Sequence, residues 1–482
     1  MNPFIVRRAI LVGLLGLMIG CARKPPSVLI ISIDSLRADQ LDAQFNGKPI
    51  TPRLSALAQE SLVFSHAISP APWTTPALIS LNTGLPALAH GVEEHDRALS
   101  SSVPTLAEQF KAAGYKTAAF VPAATLRAEY GFERGFDLYD FSNYGHDTLS
   151  SPELTSKVLA RIESWKDQPF FIWVHLWDPH YNYLPPPPYN TTFEQGQRPK
   201  NEDVQCLKWV KQPMTPPEAQ WLKGQYEGEN LFTDTQVGQM VDRLRQLRDN
   251  KSVVLAVLAD HGESFQEHGW LGHTNRVDET LIHVPMFLNW PGEIAPGRRD
   301  DLVTTASLGR TLLQLAGVKA ADNFGREPAL PLAPSSPPSG AGTAVLAQTL
   351  RQGCFTSLHE ARFKLVLEHR TCRRELFDLQ ADPGETNDLA AQDPARVAAM
   401  NASLQKRMDE IASWKIPRAS LAPEVVEGIE SALRTLGYVG QTGADGKTEV
   451  VCVQAPDTKR RDLLGDAESS PCPEEGARRC FP

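Results

Sequence analysis

The chain has few cysteines, and none of them sit close together. Seven occur in 482 residues, and none has the C-x-x-C spacing of a redox or zinc motif. Positive charge is also in deficit: 48 Lys and Arg stand against 57 Asp and Glu, a formal net charge of -9. There is no long basic stretch and no interleaving of basic with aromatic residues, so nucleic acid is not expected as a partner. A long apolar run is missing too. The N-terminal run Ala9 to Gly20 has 12 residues, where a membrane-spanning helix needs about 20.

Arg7 and Arg8, that short run and then Cys21 predict an export signal over residues 1–21. An uncleaved signal anchor is the alternative. Leu17-Met18-Ile19-Gly20-Cys21 resembles a bacterial lipobox, which implies a lipid anchor through Cys21. Ala22 after it, rather than aspartate, implies delivery to the outer membrane. The remaining cysteines are 206, 354, 372, 452, 472 and 480, an even number that suits disulfides in an oxidising compartment. Cys354 with Cys372, and Cys472 with Cys480, are the nearest pairs, although sequence does not fix connectivity.

Two apolar runs end abruptly in acids. Val253 to Leu258 lacks alternation, as suits a strand covered on both faces, and Asp260 and His261 fall at its carboxyl end. Val28 to Ile33 is a similar β-branched run that delivers Asp34 and Ser35. In open α/β sheets ligands bind at that end of the strands. A carboxylate pair buried there is costly unless it is neutral, hydrogen-bonded or bound to a cation. Gly262 is expected to let the chain turn sharply. The bland alternative for the Asp-His pair is an ordinary strand-end turn.

Along the chain, helices are expected from Thr51-Pro52 through TPRLSALAQESLVF and over Val103 to Ala113, with a strand from Tyr115 to Val121. Phe170 to Leu176 reads as an interior strand closed by Trp177-Asp178-Pro179-His180, and YNYLPPPPY as one wall of a cleft. Residues 190 to 220 read as irregular, Gln225 to Leu247 as a helix, 281 to 290 as a strand and Leu302 to Ala316 as a helix. After a Pro/Ser/Gly-rich connector at 327 to 343, short segments between Ala344 and Leu379 predict a small antiparallel sheet, supplemented by a helix at 427 to 437.

The best nucleophile candidate lies in SPAPWTTPALISLNTG, where Thr74 and Thr75 precede Pro76 and a helical run. Backbone N–H groups at a helix start and a nearby cation would favour an ionised hydroxyl. The alternative is that one of these threonines merely caps the helix.

Together VLIISIDSLRAD, TPRLSALAQESLVFSHAISPAPWTTPALISLNTGLPALAHGV, GYKTAAF, PFFIWVHLWDPHYNYLPP, LADHGESFQEHG and ELFDLQADPGETNDLA resemble, in order, the sulfatase branch of the alkaline phosphatase superfamily. They cover roughly residues 27 to 395, and ALRTLGYVG resembles the closing helix of exported bacterial members. The resemblance implies an α/β fold with a central, mostly parallel sheet flanked by helices and a smaller C-terminal α+β lobe. The implied domains are a catalytic domain over 27–330, a subdomain over 344–440 and a cysteine-containing tail over 441–482. It also implies Asp34, Asp260 and His261 as metal ligands, Thr74 at the nucleophile position, and His180 and His273 as active-site histidines, with His268 and His90 as orienting residues.

The departures are specific. The family's sulfatases carry Cys or Ser-x-Pro-Ser-Arg and oxidise the first residue to formylglycine, whereas this chain reads Thr74-Thr75-Pro76-Ala77-Leu78. Threonine cannot form that aldehyde, Leu78 replaces the arginine, the usual lysine is not evident in TAAFVPAATL, and Ser35 stands where many members have a further aspartate. The chain resembles better the threonine-using members that act on phosphate esters. The expectation is an exported ester hydrolase using one divalent ion, zinc or manganese before calcium, held by Asp34, Thr74, Asp260 and His261, with a small-molecule, glycan or lipid ester as substrate. A sulfatase-fold binding protein without turnover, and a genuine sulfuric ester hydrolase, are the alternatives. Trp73 and Trp177 are expected to rim the site or to pack in the core.

Overall fold

Alternate residues of the strand Ser27–Ile33 enter two different cores. Val28 and Ile30 pack on one face of the sheet, and Leu29, Ile31 and Ile33 on the other. Val253–Ala259 and Phe170–Leu176 divide in the same way, which is why none of the three alternates between apolar and polar residues. This computed structural model describes residues 24–142, 149–199, 214–333, 344–435 except 352 and 361, then 441–442, 448–449 and Cys480.

Ser27–Ile33 lies at the centre of a nine-stranded sheet, parallel to both neighbours, Phe170–Leu176 and Val253–Ala259. Beyond Phe170–Leu176 come Lys116–Val121 and Leu138–Phe141, also parallel. On the other side Met286–Asn289 runs antiparallel between Val253–Ala259 and Leu62–Ile68. Gly297–Thr304 pairs parallel with Leu62–Ile68. The sheet is thus mostly parallel, as expected. One face carries the helices Thr74–Thr83, Leu106–Ala112 and Ser307–Leu315, and the other carries Pro52–Gln59, Ser151–Ser164 and Pro216–Leu247.

Several element boundaries differ from expectation. The 281–290 strand is a short helix, Glu279–Ile282, followed by two strand pieces, His283–Val284 and Met286–Asn289. Pro285 lies between the pieces and has no N–H to continue the ladder. Leu302, Val303 and Thr304 belong to a strand because they pair with His66, Ala67 and Ile68, so the helix begins only at Ser307. The helix from Thr51-Pro52 stops at Gln59, and Leu62–Ile68 is strand. Of the stretch expected to be irregular, residues 216 to 220 are helical, because the long helix starts at Pro216. There Thr215 and Glu218 form a capping box.

The strands Ala344–Thr349, Phe355–Glu360, Phe363–Glu368 and Arg374–Asp378 form an antiparallel meander. The helix Pro394–Ser413, which the sequence reading missed, buries Met400, Leu404 and Ile411 in the same core as Leu358, Leu365 and Leu376 of that sheet. That core is continuous with the main one, so the small lobe is packed against the large sheet. Pro423–Thr435 supplies the expected last helix.

Cysteine pairing differs from the nearest-neighbour expectation. Cys372 bonds to Cys480, 108 residues away, with Cα atoms 5.2 Å apart. Cys354 is also disulfide-bonded. Arg374 fixes the first bridge by donating to the carbonyls of Cys372 and Cys480, both at 2.7 Å. The signal segment with Cys21, and Cys206, Cys452 and Cys472, lie outside the described residues. Among the described residues no helix is long and apolar enough to cross a membrane.

Candidate active site

Strand geometry fixes two carboxylates side by side. Ile33 pairs with Ala259 across adjacent parallel strands, and the next residues are Asp34 and Asp260, both buried. Their backbone N–H groups extend the ladder, Asp34 donating to the Leu176 carbonyl at 2.8 Å and Asp260 to the Ile33 carbonyl at 3.3 Å. Gly262 follows with no positive φ. A Cβ there would lie 2.1 Å from the Thr280 carbonyl, so glycine is required for close packing rather than for the turn that the sequence suggested.

Thr74 is the first residue of its helix and is almost fully buried. Neither threonine caps the helix: the N-cap position is Trp73, with no side-chain cap bond, and Thr75 Oγ1 donates instead to the Thr125 carbonyl at 2.7 Å. Thr74 Oγ1 lies 3.3 Å from Asp34 Oδ2 and 3.3 Å from His261 Nε2. Asp34, Thr74, Asp260 and His261 thus converge. His261 Nδ1 is 2.9 Å from the Gly262 carbonyl. A carbonyl only accepts, so Nδ1 carries a proton and Nε2 is the nitrogen that faces the site, free to bind a cation once it is unprotonated. That Nε2 lies 3.4 Å from Asp260 Oδ2 and 3.9 Å from Asp34 Oδ1.

Asp260 Oδ1 accepts from the backbone N–H of His261 at 2.8 Å and of Ser35 at 3.2 Å, whereas Oδ2 is buried with no hydrogen-bond partner. Burial and the Asp34 charge push the Asp260 carboxyl well above the usual range, against the pull of those N–H groups. Burial also acts to raise Asp34, but the charge of His180, the hydrogen bond from His175 and the charge of His261 outweigh it and hold Asp34 well below the usual range. Two close carboxylates, an imidazole lone pair, a hydroxyl and an orphaned carboxylate oxygen form a donor set that fits a divalent cation.

The sequence reading missed His175. It sits in the otherwise apolar strand Phe170–Leu176, and its Nε2 is 3.2 Å from Asp34 Oδ2. The visible signal was one histidine in an interior strand, paired in register with Ser32, the one polar residue of VLIISI. Glu263 was missed as well. Fully buried, it faces His273 Nδ1 at 3.0 and 3.2 Å.

The two expected histidines are both brought in. The His273 ring lies 4.3 Å from that of His261 and 5.2 Å from that of His180. Trp177 packs 5.1 Å from His180, and Trp73 meets His95 edge-on at 5.7 Å, both tryptophans being buried. His90 is a brace, accepting from the Val92 N–H at 3.0 Å and contacting Ser80 Oγ on the Thr74 helix at 2.9 Å. His268 instead joins Asp278 and Glu385, apart from the Asp34 group. Leu78, which replaces the family's arginine, is buried in the core.

A family model described as Sulfatase matches residues 26–318, and one described as N-sulphoglucosamine sulphohydrolase, C-terminal, matches residues 266–413. The ulvan-active sulfatase of Formosa agariphila is 24% identical over 424 residues, which cover 80% of this chain and 81% of that protein. Iduronate 2-sulfatase of Mus musculus is 24% identical over 386 residues, covering 61% and 69%. The solved phosphonate monoester hydrolase of Agrobacterium radiobacter superposes with a TM-score of 0.65 at 19% identity, over 87% of this chain and 99% of that one. At that identity the structural likeness speaks for the fold, while the first family model spans more than half of the chain: it belongs to the sulfatase family of ester hydrolases.

Proposed function

We propose that the protein hydrolyses sulfate, phosphate or phosphonate esters through Thr74, with one divalent ion held by Asp34, Thr74, Asp260 and His261. The observation that carries this reading is the Thr74 hydroxyl, buried at a helix start and 3.3 Å from both Asp34 and His261. Sulfatase-family enzymes use a divalent metal ion, and the orphaned Asp260 Oδ2 gives this chain a place for one. A bound divalent ion supplies positive charge that favours loss of the Thr74 proton to solvent and offsets negative charge on the ester oxygens. Zinc or manganese suits the few mixed oxygen and nitrogen donors better than calcium does.

The chain's own residues do the rest. Thr74 Oγ attacks sulfur or phosphorus, forming a covalent ester while the alcohol leaves, and water then cleaves that ester. In this reading His180 and His273, whose rings lie 5.2 Å apart, donate to the ester oxygens. The catalytic domain is taken as residues 27–330, the subdomain as 344–440 and the tail as 441–482. The mature protein is taken to be exported and lipid-anchored through Cys21, on the strength of Gly20-Cys21 and the bonded cysteines beyond. Mass analysis of the mature N-terminus tests the anchor, which falls if residues 1–20 remain or Cys21 lacks lipid.

The central experiment is metal analysis of the purified protein, together with turnover of aryl phosphate monoester, aryl phosphodiester and aryl sulfate by wild type and Thr74→Ala. Thr74→Ala is expected to keep the fold and lose turnover, because alanine has no oxygen to activate. Cleavage that survives Thr74→Ala removes the nucleophile assignment. Metal binding with no turnover of any ester leaves a binding protein in its place.

A further inference from the structure

The small lobe reaches the start of the Thr74 helix. Its first strand, Ala344–Thr349, runs beside the segment that leads into Thr74, and the Gln348 N–H donates to the Pro70 carbonyl at 3.0 Å. One residue on, Thr349 Oγ1 donates at 2.6 Å to the carbonyl of Thr274, whose own N–H donates to the Pro72 carbonyl at 3.0 Å. The turn that follows is pressed against the His273 loop, since a Cβ at Gly353 would lie 1.8 Å from the Asn275 carbonyl. These contacts deliver Arg351, itself buried, onto the ring of Trp73, with its guanidinium carbon 4.9 Å from the ring centroid. A stacked guanidinium presents its N–H donors as a planar fork, the geometry that carboxylate, sulfate and phosphate oxygens accept.

Hydrogen-bonding groups beside it are buried and unused. Trp73 Nε1, His95 Nε2 and Thr125 Oγ1 have no hydrogen-bond partner among the described residues. The Trp73 and His95 rings meet edge-on at 5.7 Å, and the Thr125 carbonyl holds Thr75 beside the proposed nucleophile. Burial and the charge of Arg351 hold the His95 imidazole well below its usual range, so it adds no positive charge of its own. Glu94 lies in the field of the same guanidinium, and burial raises that carboxyl against the pull of Arg351, so an incoming anion shares Arg351 with a weak competitor. A buried indole N–H without an acceptor is destabilising until a ligand or water takes it.

We propose that Arg351 and the Trp73 indole N–H bind a second anionic group, carried on the alcohol portion of the substrate, so that the preferred ester is one of a carboxylated, sulfated or phosphorylated alcohol. This rests on the hydrolase reading with Thr74 as nucleophile. In that reading the scissile group meets the divalent ion and the two histidines. Arg351 stands against the ring of the preceding residue instead, where a neighbouring group of the same molecule falls. No bond is made or broken at this subsite; it adds affinity and sets the register of the alcohol.

The test compares two alcohols of one shape, only one of them charged. With the metal-loaded protein, kcat and KM are measured for the 3-carboxyphenyl and 3-carbamoylphenyl esters of the acid that wild type turns over. Wild type is expected to favour the carboxyphenyl ester about 10- to 100-fold in kcat/KM, the worth of a hydrogen-bonded charge pair. Arg351→Gln should abolish most of that preference through KM rather than kcat, because the contact is made alike before and during the reaction. Trp73→Phe keeps the stacked ring and removes only the N–H, and should lower the preference about 3- to 10-fold. If Arg351→Gln does not fold, the wild-type preference and its reduction in Trp73→Phe decide. Equal losses on the two esters would mean that Arg351 only braces Trp73, and equal use of both esters by wild type would mean that no second charge is bound. Either result overturns the inference and leaves the nucleophile assignment intact. Absence of any turnover, or turnover surviving in Thr74→Ala, would overturn the underlying reading and this inference with it.

Discussion

Ser32 and His175 are register partners on adjacent parallel strands, and Ser32 Oγ lies 2.9 Å from His175 Nδ1. Trp173 Nε1 donates to the same hydroxyl at 2.9 Å, so a lone pair of Ser32 is taken and its proton is available to the imidazole. The alternative acceptor, the Val174 carbonyl, is farther away at 3.3 Å. With Nδ1 accepting, His175 Nε2–H points at Asp34 Oδ2. A chain from Trp173 through Ser32 and His175 therefore aims the first carboxylate of the site.

The chain predicts that Ser32→Ala and His175→Ala weaken metal binding by about 10-fold or more, as loss of a ligand's hydrogen-bond support does elsewhere. Ser32→Ala also leaves the buried Trp173 N–H without its acceptor, at a cost of about 1–3 kcal/mol. Titration against a chromogenic chelator measures the first effect, and affinity equal to wild type in both variants would show that Asp34 needs no such support.

A second prediction concerns Asp260, whose Oδ2 is orphaned beside Asp34. Without metal, burial and the Asp34 charge make an ionised Asp260 costly, and Asp260→Asn removes that cost while leaving an Oδ1 to accept the N–H groups of Ser35 and His261. In chelator the variant is expected to melt higher than wild type. With metal added, wild type should gain several degrees by mass action and the variant much less. A variant that gains as much as wild type would mean that Asp260 does not bind the ion.

Much of this site was legible because strands that are buried on both faces are conspicuous, and what stands at their ends is then placed by topology. Asp34, Asp260 and His261 are in that class. Thr74 was legible only through the run of motifs around it, since a threonine before a helical proline looks the same whether it caps or reacts. His175 and Glu263 act across strands and across a turn, 141 and 10 residues from their partners Asp34 and His273. No local period marks such pairs. The 281–290 segment was misread for a related reason: its apolar content is right for burial, and only Pro285 hints at the break.

The bridge between Cys372 and Cys480 closes a loop of 108 residues onto the small lobe. Bridges over loops of this size contribute on the order of 2–5 kcal/mol, largely by restricting the unfolded chain. Cys480→Ser is expected to lower the unfolding free energy by about that amount and to make wild type and variant converge in reductant. Urea unfolding measures it. Superimposable curves under oxidising conditions would mean that the tail is not bonded there.

The last prediction is a pH dependence set by Glu93 and Gln348. Glu93 is buried beside the first strand of the small lobe, and Gln348 Nε2 of that strand donates to Glu93 Oε2 at 3.1 Å. Glu93 Oε1 and Gln348 Oε1 are both buried without partners, an arrangement that suits a proton on the glutamate. Burial raises the Glu93 carboxyl from its ordinary value of 4.5 to about 8. Arg418 opposes the shift, and Glu94 adds to it. Because the folded form holds a proton that the unfolded form releases above about pH 4.5, stability from this group is fully present below that pH. It is lost progressively as pH rises through about 8, by a few kcal/mol in all. Glu93→Gln keeps the shape and the amide hydrogen bond but does not titrate. It should therefore match wild type near pH 4.5 and exceed it in melting temperature near pH 8.5, with the difference widening across that interval. Parallel melting curves for the two proteins from pH 4.5 to 8.5 would mean that Glu93 is ionised in the fold.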